Sequence, residues 1–159
     1  MTFARVNGVV LHFEDRGEKA MPTLVFANSL GTDFRIWDAV LSLLGNRFRF
    51  IRYDKRGHGL SEATPAPYTL DDHVSDLEAL LDHLQLRDVI ICGLSVGGVI
   101  AQGLYARRKD LVRALILCDT APKIGDEDGW NDRIRTVEES GIAALADGIL
   151  EKWFTPAFR

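Results

Sequence analysis

Four short, continuous apolar runs separated by segments of helical periodicity narrow the folds open to this chain more than any other feature. Thr23–Ala27, Phe48–Tyr53, Asp88–Cys92 and Val112–Cys118 have strand length, with Arg49 and Arg52 interrupting the second. Between them, Ile36–Leu44 has helical spacing. Thr69 and Asp72 form a capping-box pattern ahead of Leu70, Val74, Leu77, Leu81 and Leu84, which recur at intervals of three and four, and this helix is expected to end near Leu86. A further helix is predicted over Val96–Arg108, where Arg107, Arg108 and Lys109 suit the negative end of the helix dipole and need no other role. Strands that are apolar throughout are those buried on both faces. Their alternation with helices predicts right-handed crossovers and a mostly parallel sheet with helices on either side. Ahead of this pattern, Phe3–Asn7 and Val9–Glu14 flank Asn7-Gly8, a strong signal for an antiparallel hairpin.

Composition excludes several roles. With 47% hydrophobic and 26% charged residues over 159 positions, the chain has the balance of a soluble globular domain. Its net charge of −4 supplies no basic field for nucleic acid or an anionic membrane surface. No apolar stretch approaches the roughly 20 residues needed to span a bilayer, and the N-terminus lacks a secretory pattern, so the cytoplasm is the expected compartment. Cys92 and Cys118 lie inside apolar runs without partners at metal-ligand spacing and are read as core residues. From Pro122 the pattern changes. A Gly- and acid-rich connection leads to Trp130, Ile134, Val137, Ile142, Leu145, Ile149, Leu150, Trp153 and Phe154 at helical spacing, predicting two short helices in a separate layer. The expected division is therefore 1–121 and 122–159.

The chemistry centres on Gly93-Leu94-Ser95-Val96-Gly97, between a buried strand and a helix. In that context Gly-x-Ser-x-Gly makes a sharp turn that holds the serine in a strained conformation with its hydroxyl above the sheet. Side chains at 93 or 97 would collide as the turn closes, and Gly98 lets the helix approach its neighbours. A serine nucleophile needs donors for the developing oxyanion, and such turns take one N–H from the residue after the serine and one from an earlier strand-end loop. The candidates are Val96 and Leu30, the latter within Asn28-Ser29-Leu30-Gly31-Thr32. Asp54-Lys55-Arg56-Gly57-His58-Gly59-Leu60-Ser61 reads as a structural turn near the site, in which Arg56 can bond nearby carbonyls and His58 is not the base. All four histidines, at 12, 58, 73 and 83, precede Ser95, whereas this type of site takes its acid and then its histidine after the serine. The expectation is the N-terminal portion of a longer enzyme, hydrolytically weak and prone to aggregate by itself.

Over Val9–Thr120 the sequence resembles the α/β-hydrolase superfamily, and within it the 3-oxoadipate enol-lactonases. The carrying residues are Asn28–Thr32, Gly93–Gly98, Leu117-Cys118-Asp119-Thr120-Ala121-Pro122-Lys123-Ile124-Gly125 and Glu151-Lys152-Trp153-Phe154-Thr155. The resemblance implies an α/β-hydrolase core over 1–121 with the late part of its sheet absent, and the beginning of a helical cap over 122–159. It also implies hydrolysis of a small anionic enol-lactone to 3-oxoadipate in aromatic catabolism, with Ser95 as nucleophile and no metal or organic cofactor. An acidic protein needs a local cation for such a substrate. Arg133, at the edge of the apolar stripe, is the expected carboxylate ligand, and Trp153 the apolar wall. The alternatives are a general carboxylesterase or lactonase of the same fold, and a non-catalytic ligand-binding module.

Overall fold

The computed structural model describes residues 2–159, which divide into two compact units, one up to Lys123 and one over Ile124–Arg159. The first carries a six-stranded mixed sheet. Its strands are β1 (Thr2–Val6), β2 (Val9–Arg16), β3 (Thr23–Ala27), β4 (Arg49–Tyr53), β5 (Val89–Leu94) and β6 (Val112–Cys118), in the order β1-β2-β4-β3-β5-β6. The β1–β2 and β2–β4 pairs are antiparallel, and the β4–β3, β3–β5 and β5–β6 pairs are parallel. The hairpin turns where expected, with Asn7 and Gly8 both at positive φ (47° and 75°), as a tight two-residue turn requires.

Side-chain alternation along each strand divides the core between the two faces of the sheet. On one face, Leu24, Phe26, Phe50 and Cys92 pack against Trp37 and Leu41, contributed by a 3-10 turn over Phe34–Trp37 and by α1 (Asp38–Leu44). On the other, Val25, Ala27, Ile51, Tyr53, Val89 and Ile91 meet α2 (Leu70–His83) and α3 (Val96–Arg107). The capping box of Thr69 and Asp72 forms, and Val74, Leu77, Leu80 and Leu81 are fully enclosed, but Leu70 at the first position of α2 stays exposed. The helix stops at His83, short of Leu86, because Gln85 takes a positive φ of 55° that ends the helical path.

Two further readings change in the structure. Arg107 and Arg108 do more than complement a dipole. They bind Asp71, Glu78 and Asp82 across the surface of α2, tying α3 to its neighbour. Arg49 and Arg52 do not interrupt their strand, since both are buried and each has a carboxylate across the sheet. Arg49 pairs with Asp15 at 2.6 Å, and Arg52 pairs with Glu14 at 2.7 Å and with Asp38, its guanidinium 4.4 Å from the centre of the Phe34 ring.

The second unit consists of α4 (Glu127–Ser140), a 3-10 turn over Ile142–Leu145 and α5 (Ala146–Trp153). Asp126 caps α4 by accepting from Gly129 N at 2.9 Å. Trp130 donates from Nε1 to Ile124 O at 2.8 Å and closes the connection onto the helix. Among the described residues no helix is long and apolar enough to cross a membrane.

Candidate active site

Ser95 sits between the last residue of β5 and the first of α3 with φ 55° and ψ −121°, a conformation that costs a non-glycine residue about 1–3 kcal/mol. Neighbouring strands hold it there. Its N–H donates to Cys118 O at 3.0 Å, its carbonyl accepts from Thr120 Oγ1 at 2.7 Å, and Gly98 N donates to the same carbonyl at 2.9 Å. A serine preceding a helix ordinarily caps it, yet the Ser95 side chain makes no capping bond. The hydroxyl is therefore not committed to capping.

Space around the turn demands glycine. A Cβ on Gly97 would collide with Ala27 O and lie 3.0 Å from Asn28 O, and one on Gly93 would lie 2.5 Å from Gly97 O. At Gly98 the obstacle is Thr120, 2.5 Å away. The collisions anticipated at 93 and 97 are therefore with backbone, which cannot swing aside. The same closeness seats the elbow against the end of β3, where the loop Asn28–Thr32 begins; Ala27 and Gly93 are register partners in the sheet.

That loop is organised by hydrogen bonds that the sequence does not reveal. Asn28, fully buried, donates from Nδ2 to Thr32 O at 2.5 Å, and Thr32 Oγ1 donates to Ser29 O at 2.9 Å. Gly31 N donates to His58 Nε2 at 3.1 Å, while the other ring nitrogen lies 3.0 Å from Arg56 O and so carries the proton. Burial, helped by the nearby Lys55 charge, lowers the His58 pKa and keeps the ring in this neutral form. The Asp54–Ser61 turn has the structural character expected of it. Asp54 accepts from Phe34 N, Leu60 N and the His12 ring, and Ser61 Oγ donates to Asp54 O at 2.6 Å.

Arg56 does not bond carbonyls. Its guanidinium makes a two-pronged pair with the buried carboxylate of Asp76 on α2, both contacts at 2.6 Å, and Asn7 Nδ2 donates to the same carboxylate at 2.8 Å. An aspartate on the otherwise apolar buried face of an amphipathic helix is the signal for such a partner. Lys55 is the residue that bonds carbonyls, giving its ammonium to Asn28 O and Ser29 O.

The structure thus brings Ser95, Val96 and the loop bearing Leu30 to one end of β3 and β5. As the first residue of α3, Val96 has an N–H with no acceptor inside the helix. Arg133 and Trp153 belong to the second unit. Arg133 is half-buried with its guanidinium 5.6 Å from the centre of the Trp130 ring, whereas Arg135 is exposed and bound to Asp132 at 2.6 Å. Trp153, on α5, is 51% exposed. Cys92 and Cys118 approach to 4.0 Å between sulfurs, and burial pushes the Cys92 thiol up to about 12. Among the described residues no three His, Cys, Asp or Glu side chains gather as metal ligands would.

A mixed sheet with a strained serine between strand and helix defines a class of hydrolytic proteins, and the alpha/beta hydrolase fold family matches residues 22–139. The chain belongs to that family. It is 37% identical over 150 residues to 3-oxoadipate enol-lactonase 2 of Acinetobacter baylyi, a match covering 94% of this chain and 56% of that protein. The solved enol-lactonase from Burkholderia xenovorans LB400 is similar with a TM-score of 0.94 and 40% identity, over 99% of this chain and 61% of that one. A thermophilic esterase from Thermogutta terrifontis is similar with a TM-score of 0.83 and 29% identity, over 94% and 57%. The chain spans between 56% and 61% of the length of these three relatives.

Proposed function

We propose that this chain carries the nucleophile of a serine hydrolase that opens a small anionic enol-lactone to 3-oxoadipate. The observation that carries the reading is Ser95 at φ 55° between β5 and α3, its side chain uncommitted to the helix cap. Likeness to two enol-lactonases supports the substrate class. In the proposed reaction Ser95 Oγ attacks the lactone carbonyl carbon as a base takes its proton, and the N–H groups of Val96 and Leu30 receive the oxyanion. Collapse of that intermediate breaks the ring C–O bond, and the enolate so released takes up a proton at carbon and becomes a ketone, whose oxygen is no longer a nucleophile that could close the ring again. Water then cleaves the acyl-enzyme, restoring Ser95 and leaving a carboxylate. His12 and His58 are occupied by Asp54, Gly31 and Arg56. Because sites of this type take their acid and histidine after the serine, and all four histidines precede Ser95, the proton acceptor is assigned to the part of the relatives that this chain does not span.

Arg133 is proposed as the ligand of the substrate carboxylate, with Trp153 as an apolar wall. Arg133 has no carboxylate partner among the described residues, while Arg135 is taken by Asp132. In the full-length protein, Ser95→Ala is expected to leave folding intact and lower kcat on the enol-lactone by at least about three orders of magnitude. Near-normal turnover would overturn the assignment. Loss of Arg133 to alanine should reduce kcat/KM for the anionic lactone by about 1.5–3 kcal/mol and leave a neutral ester of similar size unaffected. Faster turnover of neutral esters than of the lactone would move the reading to a general carboxylesterase.

A further inference from the structure

Lys55 is a charged side chain without a carboxylate partner among the described residues, and it is only 1% exposed. Burying an ammonium is expensive unless its protons are taken up. The neighbouring Asp54 carboxylate is engaged by His12, Phe34 N and Leu60 N. What Lys55 Nζ meets are two neutral carbonyls of the loop after β3, Asn28 O and Ser29 O, each at 2.9 Å. For filling space a methionine would serve at less cost, so the ammonium must be explained by what it holds.

The second of those carbonyls matters. Ser29 C=O and Leu30 N–H belong to one planar trans peptide, in which the two bonds point in opposite directions. Whatever fixes the Ser29 oxygen therefore aims the Leu30 N–H to the other side. Two donors fix it, Lys55 Nζ and Thr32 Oγ1, both at 2.9 Å. A cation on the oxygen also draws electron density through the amide and makes its N–H a stronger donor. His58 completes the grip by accepting from Gly31 N, one residue further along.

We propose that Lys55 is a positioning residue for oxyanion stabilisation: through the Ser29 carbonyl, and together with the Thr32 hydroxyl, it orients and polarises the Leu30 amide. The inference rests on the reading of Ser95 as nucleophile and Leu30 as oxyanion donor. Burial pushes the Lys55 pKa down to about 7, and either protonation state keeps at least two N–H bonds, one for each carbonyl.

The test uses the full-length protein with Lys55→Met, which keeps length and removes the donors, and Thr32→Val, which removes only the hydroxyl. Two quantities are read: the rate at which a fluorophosphonate labels Ser95, located by mass spectrometry, and kcat and KM on a small neutral ester. Lys55→Met should slow labelling and lower kcat together by about 10–100-fold with KM nearly unchanged, and Thr32→Val by about 3–10-fold in the same pattern, below the loss of a whole oxyanion donor. Unchanged rates in both variants overturn the proposal, as does a loss carried by KM, which would mark a merely structural part. Should Lys55→Met not fold, Thr32→Val decides by the same criteria. A wild-type protein that leaves Ser95 unlabelled overturns the reading of the site and this inference with it, whereas a labelled Ser95 indifferent to both variants overturns the role of Lys55 alone.

Discussion

Up to Lys123, α2 and α3 bury Val74, Leu77, Leu80, Leu81, Ile100, Ala101 and Leu104 against a sheet. Beyond Ile124, α4 and α5 also carry apolar residues at helical spacing and bury none of them; Ile134 is 52% exposed and Leu150 45%. Periodicity is legible in both units, but it reports only that a helix has an apolar side. Burial depends on a second surface, and in the first unit the sheet provides it. The residues proposed for the chemistry divide in the same way. Ser95, its glycines and the loop around Leu30 are held by neighbours with nowhere to go, whereas Arg133 and Trp153 stand on helices without an interior.

The contrast predicts unequal responses to substitution. The largest should come from Arg56→Ala, which leaves the buried Asp76 carboxylate without a counter-charge and with Asn7 Nδ2 as its side-chain donor. A loss of about 3–5 kcal/mol in urea unfolding is expected, against less than about 0.5 kcal/mol for Arg135→Ala on exposed α4. A small loss at Arg56 would show that Asp76 finds water or another donor, and that the first unit is looser than its packing implies.

Gly97→Ala comes next. Its methyl would lie against Ala27 O, and overpacking there should cost about 3 kcal/mol and displace the elbow, read as a lowered Tm and slower labelling of Ser95.

A smaller effect concerns pH. Burial lowers the Lys55 pKa to about 7 in the fold, while the unfolded chain keeps its proton up to the ordinary value of 10.5. Below pH 7 both states are protonated. Above it only the unfolded state holds the proton, so raising the pH favours the folded chain, which no longer buries a charge. Between pH 7 and 8.5 the wild type should gain about 1–2 kcal/mol relative to Lys55→Met in paired denaturation curves. His58 and His73 have lowered values and stay neutral across that window. Parallel curves for the two proteins would contradict the buried, carbonyl-bound ammonium.

The smallest effect is expected in the second unit, with the opposite sign. Gly148 lies within α5 with nothing within 4 Å of the place a methyl group would occupy, so Gly148→Ala should stabilise that helix by about 0.5–1 kcal/mol. A destabilising result would reveal a close neighbour of α5.

Local rules were enough for the Asn7-Gly8 turn, the Thr69 capping box and the strand-to-helix turn at Ser95, because each is decided by residues within a few positions of one another. The collisions that require Gly93 and Gly97 follow from that turn's own geometry and its seat on β3. Other parts of the site could not be read this way. Lys55 reaches across 27 positions to Asn28, and Arg56 across 20 to Asp76. Both arginines of β4 look like breaks in an apolar run until Glu14, Asp15 and Asp38 are brought beside them. A charged side chain in sequence carries no mark of whether it will be solvated or enclosed. Only when sheet order sets which strand ends and loops are neighbours do burial and a fixed partner become known, and these give Lys55 and Arg56 their different tasks in one short turn.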